Sequence, residues 1–326
     1  MRARRRRVGN FQLVILEYHE VGETSNEPEG TVSNERFRRH LNFLRNRYSI
    51  VTMSQAVAIL IDHAELSRDT LIITFDDGYS GNYDNAWPVL RGLGIPATVF
   101  LTTGFLDTGR IWIEEARDLL EQAISNPRRL SQSAEKLVGN LLGEEASQHS
   151  LDFLIQRLKY IDPTEREALI DALKRSDLAS STTRISLKPL GWEQVREMAR
   201  GGIEFGSHTD SHPILSTLDA SDQRHEILRS CLRINEEIQQ EPKVFAYPNG
   251  SKNDFTDQTV DLLKDHGFEA ACTTIRGINR PGADLFRLRR IGVGADSTSL
   301  LELRLSGLLD PIHARLSAGG SSYSSE

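Results

Sequence analysis

Short apolar runs alternate along the chain with longer segments of mixed polarity. Runs of three to five residues predict buried strands at 13–16, 71–74, 97–101, 203–205, 243–246, 270–273 and 290–293. Between them, apolar residues three and four positions apart predict helices, as for Phe37, Leu41 and Leu44, where Ser33 is the candidate N-cap. Regular alternation of strands and helices predicts an α/β fold with a parallel sheet, here closed into an incomplete barrel.

Two adjacent carboxylates follow the strand predicted at 71–74, within Thr-Phe-Asp-Asp-Gly at 74–78. The charges of Asp76 and Asp77 repel each other, which raises one pKa unless a cation lies nearby. Successive strand side chains point to opposite faces, so both carboxyl groups project together only where the strand turns, and Gly78 permits that turn. A divalent metal would explain the pair, with one carboxylate on the ion and one free to handle protons. The alternative is a plain Asp-Asp-Gly turn.

Two histidines follow the strand predicted at 203–205, in Gly-Ser-His-Thr-Asp-Ser-His-Pro at 206–213. A tight turn brings His208 and His212 close together, and each can give one imidazole nitrogen to the same ion. With one carboxylate of the Asp pair they form an Asp, His, His set, which suits catalytic zinc or another divalent first-row metal such as Co²⁺, Ni²⁺ or Fe²⁺. By itself, such a pair of histidines is more often two solvated loop residues than a metal site.

These motifs resemble those of the polysaccharide deacetylases, carbohydrate esterase family 4, which share the NodB homology domain. Three more stretches are similar to the family: 16–21 to its YHxV opening strand, 245–250 to its third motif and 286–293 to its closing strand. The matches follow in order from residue 13 to about 294. The resemblance implies a distorted, incomplete barrel of the (β/α)7 type, in the circularly permuted form that opens with YHxV. It also implies a metal-dependent hydrolase that removes the N-acetyl group of an amino sugar in cell-surface polysaccharide biosynthesis.

The resemblance also implies roles for particular residues. In the family, the positions of Asp77, His208 and His212 bind the metal, and that of Asp76 takes a proton from the attacking water. Pro-Asn-Gly at 248–250 matches the family's Pro-Tyr-Gly, so the backbone N–H of Asn249 is the expected donor to the oxyanion.

The sequence departs from the commonest family pattern in two places. The late general-acid histidine motif is missing, since the C-terminal region contains only His313, without matching context. Members that open with YHxV supply the acid from the first strand, which points to His19; the alternative is a buried, hydrogen-bonded histidine. The third motif lacks its usual arginine, and Arg290 is either its replacement or an ordinary ion-pairing residue. The remaining histidines are expected to face solvent: His40, His63, His149, His225 and His266.

A polar stretch rich in helix formers, about 107–189, interrupts the family core. It predicts a helical insertion beside the mouth of the active site. The insertion would be a lid, a substrate-recognition wall or an oligomer contact, or else a structural elaboration with no role in chemistry. The domain organisation is then a basic disordered tail at 1–10, the barrel at 11–310 and a disordered Ser/Gly-rich tail at 311–326.

Composition and charge add limits. The 326 residues are 38% hydrophobic and 26% charged, as in soluble globular proteins, and the net charge of −7 gives no reason to expect nucleic acid as a partner. Cys231 and Cys272 have no metal-site spacing and are expected to be buried free thiols.

The arginine run at 2–7 is not followed by the apolar core of roughly 7–15 residues that a signal peptide needs. This predicts a cytoplasmic protein, with an N-terminus that is either a disordered tail or a weak contact to anionic lipid at the inner membrane face. A lipid-linked or nucleotide-linked sugar then fits better than finished polymer. Two other functions remain open, a C–N hydrolase of cyclic amides or imides and a non-catalytic glycan-binding protein.

Overall fold

The computed structural model describes residues 12–22, 30–61, 69–142, 150–178 and 187–306. The tails predicted at 1–10 and 311–326 lie outside these ranges, as do His63, His149 and His313. None of the helices within these ranges is long and apolar enough to cross a bilayer.

The strands of these ranges are, in chain order, β1 (Leu13–Tyr18), β2 (Val21–Gly22), β3 (Val32–Ser33), β4 (Ser49–Val51), β5 (Thr70–Phe75), β6 (Thr98–Leu101), β7 (Glu204–Ser207), β8 (Val244–Ala246), β9 (Ala270–Arg276) and β10 (Leu288–Gly292). Strands β5 to β10 and β1 are parallel neighbours, and β1 pairs with both β5 and β10, which closes a seven-stranded barrel. The α/β class and the (β/α)7 barrel type are confirmed. Strand β4 extends the sheet beside the first half of β5, and β2 pairs with β3.

The helices are α1 (Asn34–Arg45), α2 (Met53–Ile61), α3 (Trp87–Leu93), α4 (Thr103–Thr108), α5 (Trp112–Ser125), α6 (Gln132–Leu142), α7 (Leu151–Lys159), α8 (Pro163–Lys174), α9 (Trp192–Arg200), α10 (Ala220–Ile238), α11 (Asp257–Asp265) and α12 (Thr298–Leu305). Ser33 caps α1, since its hydroxyl accepts a hydrogen bond from the Arg36 N–H at 3.3 Å. The apolar face predicted for this helix is buried. The pattern therefore predicted both the start and the buried face of α1 correctly.

Alternation along the strands divides the core into an interior and an outer layer. Leu13, Ile15 and Ile72 belong to the barrel interior, where α2 also packs, whereas Val14 and Leu71 belong to the layer beneath the outer helices. Because side chains alternate with a period of two, later strand positions of the same parity also face the interior. This rule brings polar residues near the strand ends into the barrel mouth.

Helices α5 to α8 occupy part of the interruption predicted at 107–189. They pack around an apolar cluster of their own, which includes Leu120, Leu154, Leu158, Leu169 and Leu173. The cluster explains how these helices hold a fixed shape beside the barrel without sharing its core.

His40 does not face solvent as expected. It lies on the buried face of α1, where its Nδ1 is 3.2 Å from the Tyr18 hydroxyl and its Nε2 is 3.0 Å from the Asp296 carbonyl. The prediction was wrong because His40 follows Phe37 by three positions, and this spacing places it on the apolar face. His225 is exposed and His266 is half-buried.

Both cysteines are free thiols, as predicted. Cys272 is buried in the barrel interior, while Cys231 on α10 is only half-buried. Burial raises the pKa of each thiol to about 12, so neither is a reactive thiolate at neutral pH.

Candidate active site

A cavity of about 370 Å³ opens at the carboxyl ends of the barrel strands. Six of the residues predicted to form the site line it, namely His19, Asp76, Asp77, His208, His212 and Asn249. Arg290 is fully buried beside them. The six lining residues follow strands β1, β5, β7 and β8, and Arg290 lies within β10. The closed barrel therefore brings all seven predicted residues together. Side chains from several strand ends meet at this edge in barrels of this kind.

Asp77, His208 and His212 form a compact set of metal-ligand atoms. The Asp77 Oδ1 lies 3.5 Å from the His208 Nε2 and 3.4 Å from the His212 Nε2. Ligand bonds of about 2.0–2.1 Å in a tetrahedral site place neighbouring ligand atoms about 3.3 Å apart, close to these separations. The buried Asp77 Oδ1 makes no hydrogen bond to another described residue. The donor set therefore fits a divalent metal such as zinc.

The backbone turns sharply to present these ligands. Asp77 and His212 have positive φ angles of 71° and 61°, and Gly78 follows with 84°. The turn predicted after β5 is thus present, and two non-glycine residues adopt a conformation that costs about 1–3 kcal/mol each. Such local strain occurs where the surrounding structure holds a functional group in place.

Both histidines are suited to bind a metal at neutral pH. Burial lowers the pKa of His208 and of His212 to about 4, so each imidazole is neutral at pH 7 and can offer a lone pair. The His208 Nδ1 lies 2.7 Å from the Ala246 carbonyl. This contact assigns the proton to Nδ1 and leaves Nε2 free for an ion.

Asp76 has a different environment from its neighbour Asp77. Its two carboxylate oxygens each accept a hydrogen bond of 2.7 Å from the Arg290 guanidinium, whose Nε donates to the Thr273 carbonyl at 2.9 Å. Burial acts to raise the pKa of Asp76, but the Arg290 charge outweighs it and holds that pKa well below its usual range. Asp76 is therefore ionised at neutral pH and fixed in orientation.

Glu17 is a polar residue of the site that the sequence reasoning missed. It shares the inward face of β1 with Leu13 and Ile15, and its Oε2 lies 3.4 Å from the Arg290 Nε. Its Oε1 lies 3.8 Å from the His19 Nε2. Period-two alternation from Leu13 was the signal that could have identified it. Burial raises the pKa of Glu17.

His19 lies just beyond β1, and its side chain is 41% exposed at the cavity. Partial burial acts to lower its pKa, but the carboxylates of Asp77, Glu17 and Asp76 outweigh it and raise the pKa above 6.5. Ligand atoms of Glu17, His19 and Asp76 also lie within 4.8 Å of one another. The guanidinium that occupies both oxygens of Asp76 makes this second group unfavourable for a cation.

Asn249, in the loop after β8, lines the cavity. Asn249 has a positive φ of 57°, and its N–H makes no hydrogen bond to another described residue. The loop is tied to β9, because the Thr274 hydroxyl donates to the Asn249 carbonyl at 2.6 Å. A backbone N–H without a partner among the described residues, on a loop held in place, is available to donate to an oxyanion.

The loop that carries the two histidines is held from two sides. The Glu226 carboxylate accepts hydrogen bonds from the backbone N–H groups of Asp210 and Ser211, at 3.0 and 2.8 Å. The Trp112 indole N–H donates to the His212 carbonyl at 2.9 Å. The Arg166 guanidinium stacks 4.1 Å from the Trp112 ring centroid. Trp112 belongs to α5, so this helix contacts the candidate metal loop directly, and Arg166 of α8 packs against Trp112.

We expect Trp112→Phe to weaken zinc binding by about tenfold or more, because it removes the donor that orients the His212 backbone and keeps an aromatic ring in place. Titration with zinc against a chromogenic chelator measures this affinity. Trp192→Phe is the matched control, since its indole N–H donates to Asp107 and contacts no proposed ligand. Equal zinc affinity in the Trp112 variant and the control would contradict the assignment.

Comparisons with known proteins agree with this site. A family model described as polysaccharide deacetylase matches residues 63–271, more than half of the chain. The putative polysaccharide deacetylase YxkH of Bacillus subtilis (strain 168) is 24% identical over 283 residues, which cover 86% of this chain and 71% of that protein.

Two solved structures share the fold. The Streptococcus pyogenes deacetylase PplD, in complex with acetate, has a TM-score of 0.61 and 19% identity over 90% of this chain and 97% of that one. IcaB from Ammonifex degensii has a TM-score of 0.58 and 21% identity over the same shares. With the family match over most of the barrel, these findings show that the chain belongs to the polysaccharide deacetylase family and is a hydrolase.

Proposed function

We propose that this protein is a metal-dependent N-deacetylase that removes the acetyl group from an N-acetylated amino sugar. The observation that carries the proposal is the contrast between the two adjacent aspartates. Asp77 points an oxygen without hydrogen bonds at two histidine nitrogens, while Asp76 is held ionised by Arg290. A metal-ligand set beside a separate base matches what hydrolysis of an unreactive amide needs.

Asp77, His208 and His212 would hold the metal. Zinc suits one carboxylate and two imidazoles, and Co²⁺, Ni²⁺ and Fe²⁺ accept the same donors. When bound, the ion supplies Lewis-acid chemistry at the acetamide carbonyl and lowers the pKa of water.

The chain's own groups would then move the protons. Asp76 accepts a proton from water as the water oxygen bonds to the carbonyl carbon. The Asn249 N–H donates to the carbonyl oxygen, where negative charge develops. His19, in its protonated form, gives a proton to the leaving nitrogen as the C–N bond breaks. The products are acetate and a free amino sugar.

The proposed substrate belongs to cell-surface polysaccharide biosynthesis, as a glycan or as a lipid-linked or nucleotide-linked sugar. A cytoplasmic location, and contact of the arginine-rich N-terminus with anionic lipid, stay predictions. The residues on which both depend lie outside the described ranges.

Acetate release tests the proposal. Purified, zinc-loaded protein is incubated with short N-acetylglucosamine oligomers, a lipid-linked acetamido sugar and a nucleotide-linked one, with chelator-treated protein as the control. We expect zinc-dependent release from at least one of them. Release from none, or hydrolysis of cyclic imides alone, would overturn the proposed function.

The pH profile tests the role of His19. Because its pKa is raised above 6.5, the protonated acid persists to higher pH and is lost as the pH rises through that pKa. We expect kcat/KM to fall about tenfold per pH unit above it, and His19→Gln to lower kcat/KM about 10²-fold and remove this limb.

Glu17→Gln serves as the companion variant for the pH profile. It removes a carboxylate that raises the His19 pKa, so the alkaline limb moves to lower pH. If the alkaline limb of the kcat/KM profile stays at the same pH in both His19→Gln and Glu17→Gln, a group other than His19 causes it.

A further inference from the structure

Lys159, the last residue of α7, lies in the wall of the active-site cavity. It is half-buried, and no carboxylate of the described residues lies within ion-pair distance of its ammonium. Lys174, Lys243 and Lys264 differ in this respect, since each pairs with a carboxylate within 4 Å. A half-buried ammonium is costly because it loses hydration, and the Asp254 carboxylate, which is not in ion-pair contact with Lys159, only partly offsets the effect of burial on the Lys159 pKa.

The residues immediately before and after Lys159 hold its position relative to the barrel. Leu158 is fully buried in the core of α5 to α8. The Tyr160 hydroxyl donates at 2.7 Å to Asp254, a buried residue of the loop between β8 and α11. Lys159, which lines the cavity, is therefore held at a fixed helix end. Its positive charge also contributes to the lowered pKa of His212, whose main cause is burial.

A second cation lies on the same wall. Arg117 of α5 lines the cavity, and its guanidinium pairs at 3.1 Å with Asp152, whose side chain is 74% exposed. An exposed ion pair of this kind contributes little to stability. Arg117 can therefore exchange Asp152 for another anion. After burial, which is the main cause, the charge of Arg117 also acts to lower the pKa of Lys159. The wall formed by α5 and α7 thus carries two positive charges close together.

Three acidic residues of the cavity belong to the catalytic groups described above. Asp76 and Glu17 lie against Arg290, and Asp77 belongs to the proposed metal set. Glu20 and Glu114 also line the cavity, and each acts to raise the pKa of Tyr79, for which burial is the largest cause. The cavity therefore holds carboxylates as well as cations, and Glu114 lies one helical turn from Arg117 on α5.

We propose that Lys159, with Arg117 beside it, binds an anionic group of the substrate, a carboxylate or a phosphate attached next to the N-acetylated sugar. The inference rests on the proposed deacetylase function and names the substrate class more closely. Charge-assisted hydrogen bonds to a bound anion would give Lys159 the ion-pair partner that it does not find among the described residues. The helical wall at α5 and α7 then acts in substrate recognition.

Acetate release from three substrates tests the proposal: chitotetraose as the neutral one, a hyaluronan tetrasaccharide for carboxylate and UDP-N-acetylglucosamine for phosphate. We expect Lys159→Gln to reduce kcat/KM at least about tenfold more on one anionic substrate than on chitotetraose. Lys136→Gln, on the exposed surface of α6, is the control. The anionic substrate that responds identifies the group. Equal losses on all three substrates, or no loss on either anionic one, would overturn the proposal.

A binding measurement separates this proposal from the proposed function. Calorimetry compares binding of methyl glucuronide and of UDP to metal-free wild-type protein and to Lys159→Gln. We expect one of the two anions to bind wild type at least about tenfold more tightly. If the wild type releases no acetate from any substrate, the deacetylase proposal fails while this comparison still decides the role of Lys159. Equal binding to both proteins, or no binding to either, counts against it.

Discussion

Asp76→Asn is expected to lower kcat/KM for acetate release by about 10³-fold while the protein keeps its zinc. The amide has the size of the carboxylate and still accepts a hydrogen bond from Arg290, but it cannot take a proton from water. Asp77, His208 and His212 are unchanged, so the ligand set stays complete. Acetate release and zinc content per chain, measured on the same preparation, separate the two effects.

The control for this variant is Asp84→Asn, an exposed aspartate shortly after the motif. It is expected to match wild type in both measurements. Loss of zinc together with activity in Asp76→Asn would place Asp76 among the metal ligands. Activity near the wild-type value would remove it from the mechanism.

Arg290→Met is expected to destabilise the protein by about 3–5 kcal/mol at pH 7. The side chain is fully buried, and its loss leaves Asp76 and Glu17 in the barrel without their common cation. The arginine holds the pKa of Asp76 below its unfolded value, so the stability that it supplies is present above that value and is lost as the pH falls through the folded pKa. Urea denaturation of both proteins across pH measures the difference.

Arg289→Met is the matched control for Arg290→Met, because Arg289 is the exposed neighbour on the same strand. Its free energy of unfolding is expected to stay within about 0.5 kcal/mol of wild type. The deficit of Arg290→Met is expected to shrink toward acid pH, where protonation of Asp76 relieves the unpaired charge. A deficit that is constant with pH would mean that packing, rather than this ion pair, accounts for the loss.

Several parts of the site could be predicted from local sequence because they depend on local chemistry. Thr-Phe-Asp-Asp-Gly places two carboxylates at a strand end, and the turn with positive φ at Asp77 and Gly78 follows from that composition. The sequence left two interpretations of Arg290, as the replacement for the family's arginine or as an ordinary ion-pairing residue. Arg290 and Asp76 are 214 positions apart along the chain. Only the neighbour order of β5, β1 and β10 brings them into contact.

Other residues had no usable local signal. Trp112 and Lys159 lie in a polar helical stretch where many residues have the same composition, and nothing in that stretch indicates which of them face the barrel. Their contacts depend on how α5 and α7 pack around a separate apolar cluster. His40 is the opposite case. Its spacing of three positions from Phe37 indicates burial on the apolar face of α1, although its polar side chain led to the prediction that it faces solvent.

The sequence by itself determined the strand and helix order, the turn that presents Asp76 and Asp77, and the two histidines that match them. These features depend on the period of apolar positions and on residues close together in the chain. The tertiary structure alone decided what surrounds these residues, with Arg290 and Glu17 beside Asp76 and Trp112 hydrogen-bonded to the His212 carbonyl. Such contacts join distant residues across a closed barrel, and their energies depend on burial and distance. The distances between residues so far apart in the chain cannot be read from a linear pattern.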